Sequence, residues 1–140
     1  MAYSLSYSKA ILVLVFISDK IRRGETDYIS AKVMSELLDI PKPTLVLIFN
    51  SLVKAGILES KEGINGGVRF AKDTAKISLL DILVAIENQK PLFQTNFEIK
   101  ANSERPTAIK NAIVKSLNNA ENTMKKELSK ISLKSILETE

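Results

Sequence analysis

The residues best placed to do chemistry in this chain are cations, hydroxyls and glycines, grouped in a short stretch. Between Ile40 and Lys76 the basic residues Lys42, Lys54, Lys61, Arg69, Lys72 and Lys76 outnumber the acidic Glu59, Glu62 and Asp73. Such a balance suits a polyanion. Lys42, Pro43 and Thr44 stand together at the start of an apolar-periodic segment, while Lys61, Asn65, Gly66, Gly67 and Arg69 surround a glycine-rich turn. Ser30 and Lys32 open an earlier segment. Lysine, arginine and hydroxyl side chains, together with helix N-terminal N–H groups, are the usual partners of phosphate oxygens. Each residue taken alone reads as a solvated surface group, and only the grouping points to one nucleic-acid face.

Covalent chemistry is poorly provided for. Neither histidine nor cysteine occurs in the 140 residues, which removes imidazole bases, thiolate nucleophiles, disulfides and nearly every zinc, haem or iron–sulfur ligand set. Glu25, Asp27, Glu36 and Asp39 have no histidine partner, and no phosphate-cradling motif is present. An enzyme is therefore not expected, nor a cofactor.

The elements that must position the cations follow from pattern. With 45% apolar and 26% charged residues and a net charge of +4, the chain has the balance of one globular domain with room for an appended helix. Ser4 to Arg23 lacks Gly and Pro, and Gly24 ends it, so a first helix is expected there. Its apolar run, Ala10 to Ile17, is far shorter than the roughly 20 residues of a membrane span. No cleavable leader is read there either, and a buried helix in a cytoplasmic protein is expected. Because its apolar residues run consecutively, one face should pack on the DNA-binding unit and the other on a second element.

Ser30 caps a short helix, Ala31 to about Asp39, with Val33, Met34, Leu37 and Leu38 inward. A second helix starts near Pro41 to Pro43 and runs to about Ala55, burying Leu45, Ile48, Phe49 and Leu52, with Gly56 as its C-terminal cap. Two strands then flank the Gly63–Gly67 turn. Ser78 caps a helix from Leu79 to about Asn88. Residues 89–106 read as a loop or linker, and 107–130 as one long amphipathic helix, followed by a short one over 132–137. The fold class is thus mainly α with a small β-hairpin, divided into a DNA-binding unit at 1–88, a linker at 89–106 and a dimerisation helix at 107–140.

Helix, helix-turn-helix, hairpin, helix is the order of a winged helix-turn-helix, whose second helix enters the major groove while the hairpin meets the neighbouring backbone or minor groove. Two other readings share this order: a small α+β domain with no nucleic-acid partner, and a winged helix that docks a protein. Gly63, Gly66 and Gly67 permit positive φ and would let the hairpin tip lie close against DNA. Equally, they would simply make the turn.

Several ordered motifs resemble one family. Leu52-Val53-Lys54-Ala55-Gly56-Ile57-Leu58, Gly63-Ile64-Asn65-Gly66-Gly67 and Ile77-Ser78-Leu79-Leu80-Asp81-Ile82 are similar to those of the Rrf2 family of bacterial regulators, to which IscR, NsrR and CymR belong. Ile86 to Phe93 and Ser132 to Ile136 resemble its YwnA-like branch. The resemblance implies a homodimeric repressor of transcription that binds double-stranded DNA at a near-palindromic operator, its long C-terminal helix crossing the partner and packing on the first helix. Ile11, Val15, Ile109, Ile113, Leu117, Ala120, Met124 and Leu128 would then form the dimer interface. The family's cluster-binding members carry three cysteines in the segment equivalent to about Leu92 to Pro106, and here there are none. Thr44-Leu45-Val46 stands where many members have Tyr-Leu-Glu, Glu62-Gly63 replaces Arg-Gly, and Val68 replaces a tyrosine. The sequence preference of other members therefore does not transfer. Routes left for a signal are a small apolar ligand between the first and long helices, oxidation of Met34 or Met124, or a partner protein. Both methionines also read as plain core fillers.

Overall fold

A computed structural model describes residues 3–22, 27–101 and 103–139. The expected end of the first helix at Arg23 and Gly24 lies outside those residues. The elements are α1 (Leu5–Arg22), α2 (Ala31–Leu38), α3 (Lys42–Lys54), β1 (Leu58–Lys61), β2 (Gly67–Phe70), a 3-10 turn at Thr74–Lys76, α4 (Leu79–Glu87), α5 (Glu104–Ser129) and α6 (Leu133–Leu137). The fold is mainly α with one antiparallel hairpin, β1 against β2.

Local chemistry explains the helix-turn-helix. Ser30 accepts a hydrogen bond from the Val33 amide at 3.2 Å and so starts α2. Asp39 ends it in the left-handed region at φ 52°, and the Ser35 hydroxyl donates to the Ile40 carbonyl at 2.7 Å, pinning the turn. Pro43 is tolerated because the first helical turn needs no amide there. Leu45, Ile48, Phe49 and Leu52 are buried, as their spacing requires. Gly56 follows α3 at φ +77°, the left-handed position that closes many helices. In α2 the inward residues are Ala31, Met34 and Leu38; Val33 and Leu37, expected inside, are exposed. They form a parallel ridge one residue further round a helix of only two turns, beyond the reach of α3.

The hairpin is anchored at its base. Ile29, directly ahead of the α2 cap, pairs with Val68 through two amide–carbonyl bonds of 2.9 Å each. The wing and the helix-turn-helix are therefore one rigid unit.

Both ends of the chain close the same core. Ala10, Val13, Leu14 and Ile17 of α1 are buried. Glu87, at the end of α4, is also buried, and its Oε1 accepts from the Ser4 amide and hydroxyl, each at 2.7 Å. A carboxylate thus satisfies the open N-terminus of α1, where the helix dipole favours it. The Leu133 amide donates to the Ile77 carbonyl at 2.7 Å and Leu79 donates to Ile131 at 2.9 Å, so the α6 entry pairs with the α4 entry. Leu133 is fully buried.

The long helix begins at Glu104, three residues before its expected start, with Ser103 at its N-cap and Pro106 inside the first turn. Residues 90–101 form neither helix nor strand. They are tied down at one point: the Leu92 amide donates to Glu121 Oε1, which also accepts from the Tyr3 hydroxyl at 3.3 Å. The Leu92 hydrogen bond, aided by Lys125, holds the Glu121 carboxyl below its ordinary range. Burial, then Glu121, pushes the Tyr3 hydroxyl up.

Candidate nucleic-acid interface

A groove of about 410 Å³ runs between α3, the N-terminus of α2 and the wing. It collects Ser30, Lys32, Lys42, Lys61, Gly66 and Gly67 of the expected set, with Val46 and Asn50 added from α3 and Glu62 the one acidic side chain in its lining. Lys42 is the first residue of α3, whose N-terminus no side chain caps. Its charge therefore sits beside the positive end of the helix dipole, an arrangement fit for phosphate.

Other expected residues are placed differently. Pro43 and Lys54 lie on the outward face of α3, opposite its buried side. Thr44 is turned away from the wing, lining a depression of about 170 Å³ with Ser4, Ser6, Leu47 and Ile86. Asn65 lines a cleft of about 340 Å³ with Lys20, Tyr28 and Val33. Arg69 is engaged within the wing: its Nε donates to Glu59 at 2.6 Å, and its guanidinium lies 4.7 Å from the centre of the Tyr28 ring. The register places Glu59 directly opposite Arg69, and that hydrogen bond raises the arginine's affinity for its proton. Lys61 Nζ lies 5.6 Å from the same ring, so Tyr28 holds two cations of the wing on one face.

Gly66 and Gly67 are required by the fold itself. A Cβ on Gly67 (φ +144°) would fall 2.2 Å from the Ile29 carbonyl oxygen, and one on Gly66 2.1 Å from that of Lys61. The close contacts are with the chain's own backbone.

Sequence reasoning missed Val46, Leu47 and Asn50 on α3, Ile64 at the hairpin tip, and Tyr28. Leu47 is 69% exposed and Ile64 entirely so. Completing the 3.6-residue wheel around Leu45, Ile48, Phe49 and Leu52 would have found Leu47 and Asn50, which fall on the opposite side. Tyr28 had no local signal.

The expected dimer residues divide. Ile109 and Ile113 are exposed large hydrophobics, Ala120 is exposed, and Leu117, Met124 and Leu128 are half-buried. Ile11 and Val15 are half-buried against the core, while Leu5 and Leu12 are the exposed large hydrophobics of α1.

A helix-turn-helix with a backbone-tied wing and a long trailing helix is the architecture of winged-helix transcription regulators. A family model, Rrf2, described as an iron-dependent transcriptional regulator, matches residues 4–139. The chain belongs to that family. It is 31% identical over 135 residues to YffB of Lactococcus lactis subsp. lactis, covering 95% of this chain and 85% of that protein, which carries the name of an HTH-type transcriptional regulator. YwnA of Bacillus subtilis, similarly named, is 27% identical over 77% of this chain and 80% of its own. The structure of CymR, the global cysteine regulator of B. subtilis, superimposes with a TM-score of 0.67 over 98% of this chain and 96% of that one at 18% identity, a likeness of fold.

The iron in the family's description finds no fitting site here. The chain has no cysteine or histidine, and among the described residues no three acidic side chains gather as a metal site would need. Also among the described residues, no helix is long and apolar enough to cross a membrane.

Proposed function

We propose that this protein represses transcription in the cytoplasm by binding a near-palindromic operator in double-stranded DNA as a homodimer. The observation that carries the reading is the single groove at which Lys32, Lys42 and Lys61 meet the uncapped start of α3. In that arrangement α3 enters the major groove, with Lys42 and Lys32 on flanking phosphates and Lys54 on its outward face. The wing, with Ile64 and Asn65 at its tip, lies along the adjacent minor groove, where apolar and amide side chains are both accommodated. Arg69, held by Glu59 and Tyr28, stiffens the wing rather than reaching for DNA. Residues 1–88 carry the DNA contacts, 89–106 link, and 107–140 dimerise.

Dimerisation is supported by apolar faces that the single chain leaves uncovered. Leu5 and Leu12 on α1, with Ile109 and Ile113 on α5, are exposed. Two copies pairing through α5 would cover them and set two recognition helices facing successive major grooves.

The test is affinity against salt. Lys32, Lys42, Lys54 and Lys61 on phosphates, doubled in the dimer, predict a slope of log K against log salt of about −7. Lys42→Ala should flatten it by about 2. A flat slope, or no retention of genomic DNA at low salt, would sink the reading.

A further inference from the structure

The recognition helix is chemically unusual for a reader of mixed sequence. Between Lys42 and Lys54 it holds no arginine, glutamine, aspartate or glutamate. Arginine and lysine are the common bidentate partners of guanine, and carboxylates accept from cytosine; this helix has no arginine or carboxylate, and its two lysines stand at its ends. What it presents opposite its buried face is Pro43, Leu47, Asn50 and Lys54, flanked on the wing side by Val46. Leu47 is 69% and Val46 38% exposed, apolar surface kept in water on a helix whose other large hydrophobics are inside. Asn50 is the one amide side chain on the helix, and it faces the groove.

We propose that α3 reads A·T pairs: Leu47 and Val46 pack on thymine methyl groups, and the Asn50 amide pairs with the N6–N7 edge of adenine. The Asn50 amino group donates to N7 while its carbonyl accepts from the N6 amino group, the one edge this side chain matches twice. Lys42 and Lys54, at the two ends of the helix, are left to phosphate and add affinity without sequence. The inference rests on the DNA-binding reading above and deepens it by assigning the bases read.

The experiment selects bound sites from random duplex DNA with the full chain and then replaces thymines of the selected half-sites by uracil, which lacks only the C5 methyl. Expected are half-sites set by A and T, and a loss of about 4-fold per uracil at a read position, the worth of one buried methyl-sized group. Both half-sites substituted together should lose on the order of 16-fold. Leu47→Ala should bind thymine and uracil equally at the one pair that Leu47 reads while keeping the discrimination at the Val46 pair, and Asn50→Ala should relax the adenine preference at one pair by on the order of 5- to 150-fold. The salt slope should be unchanged in both variants, which also reports that they fold. Half-sites defined by guanine, or equal binding of thymine and uracil sites by the parent protein, would overturn this inference and leave DNA binding intact. Failure to retain any DNA would overturn both.

Discussion

Replacing Gly67 by alanine should separate the wing from the helix-turn-helix. The new Cβ would stand 2.2 Å from the Ile29 carbonyl oxygen, 2.4 Å from its carbon and 2.7 Å from the Ser30 nitrogen. All three are backbone atoms that no rotamer change can move, so the two 2.9 Å bonds between Ile29 and Val68 must part. Losing two backbone hydrogen bonds costs about 1–3 kcal/mol, and holding alanine at φ +144° adds about 1–3 kcal/mol. The total, about 2–6 kcal/mol, corresponds to a fall in Tm of about 6–18 °C for a chain of this size. Gly63→Ala is the control: its φ of +107° is equally unsuited to a side chain, but nothing lies within 4 Å of the Cβ position. It should suffer the conformational cost alone. Thermal unfolding by circular dichroism compares the two, and hydrogen exchange at the Ile29 and Val68 amides locates the damage. If both variants melt together and those amides still exchange slowly in Gly67→Ala, the bridge is not what this glycine serves.

Other consequences can be read with simple assays. Burial pushes the Tyr7 hydroxyl, which donates to the Leu79 carbonyl at 2.7 Å, up to about 12 from its ordinary 10. Its contribution to stability is whole below pH 10 and lost as pH rises through about 12, and alkaline titration by absorbance should show a late tyrosine that Tyr7→Phe removes. Glu121, held below its ordinary range, stabilises the fold above the unfolded carboxylate value and ceases to do so as pH falls through its lower folded value. Glu121→Gln should erase that part of the acid limb in urea titrations and speed exchange at the Leu92 amide. Ile113→Glu, on an exposed site, should leave Tm of the single chain nearly unchanged while light scattering falls from twice 15.5 kDa to that mass; a persistent dimer would contradict the interface. Arg69→Ala should flatten the salt slope of DNA binding less than Lys42→Ala, because Glu59 already neutralises the guanidinium.

Much of the fold was legible because it depends on period and punctuation. The buried set of α3, the caps at Ser30 and Ser78, Gly56 and the hairpin all follow from residues near one another in the chain. What escaped depends on contacts between distant segments. The pairing of Arg69 with Glu59 depends on the hairpin register, and register follows from turn geometry that a run of glycines does not specify. Thr44 read as a groove residue, yet α1 and α4 dock on its flank. The role of Glu87 has no local sign, because its partner, Ser4, lies 83 residues away. About two turns of consecutive apolar residues in α1 announced two packing faces, but only the packed core determines that Leu12, and not Ile11, is left outside.

The pairing of Ile77 and Leu79 with Ile131 and Leu133 bears on how the molecule is made. As the chain leaves the ribosome, the helix-turn-helix and wing emerge early, but the place filled by Leu133 stays vacant until the long helix has been synthesised. The two halves of the chain therefore complete one core together. A nascent or prematurely terminated product carrying only the first half lacks Leu133 and has an incomplete core.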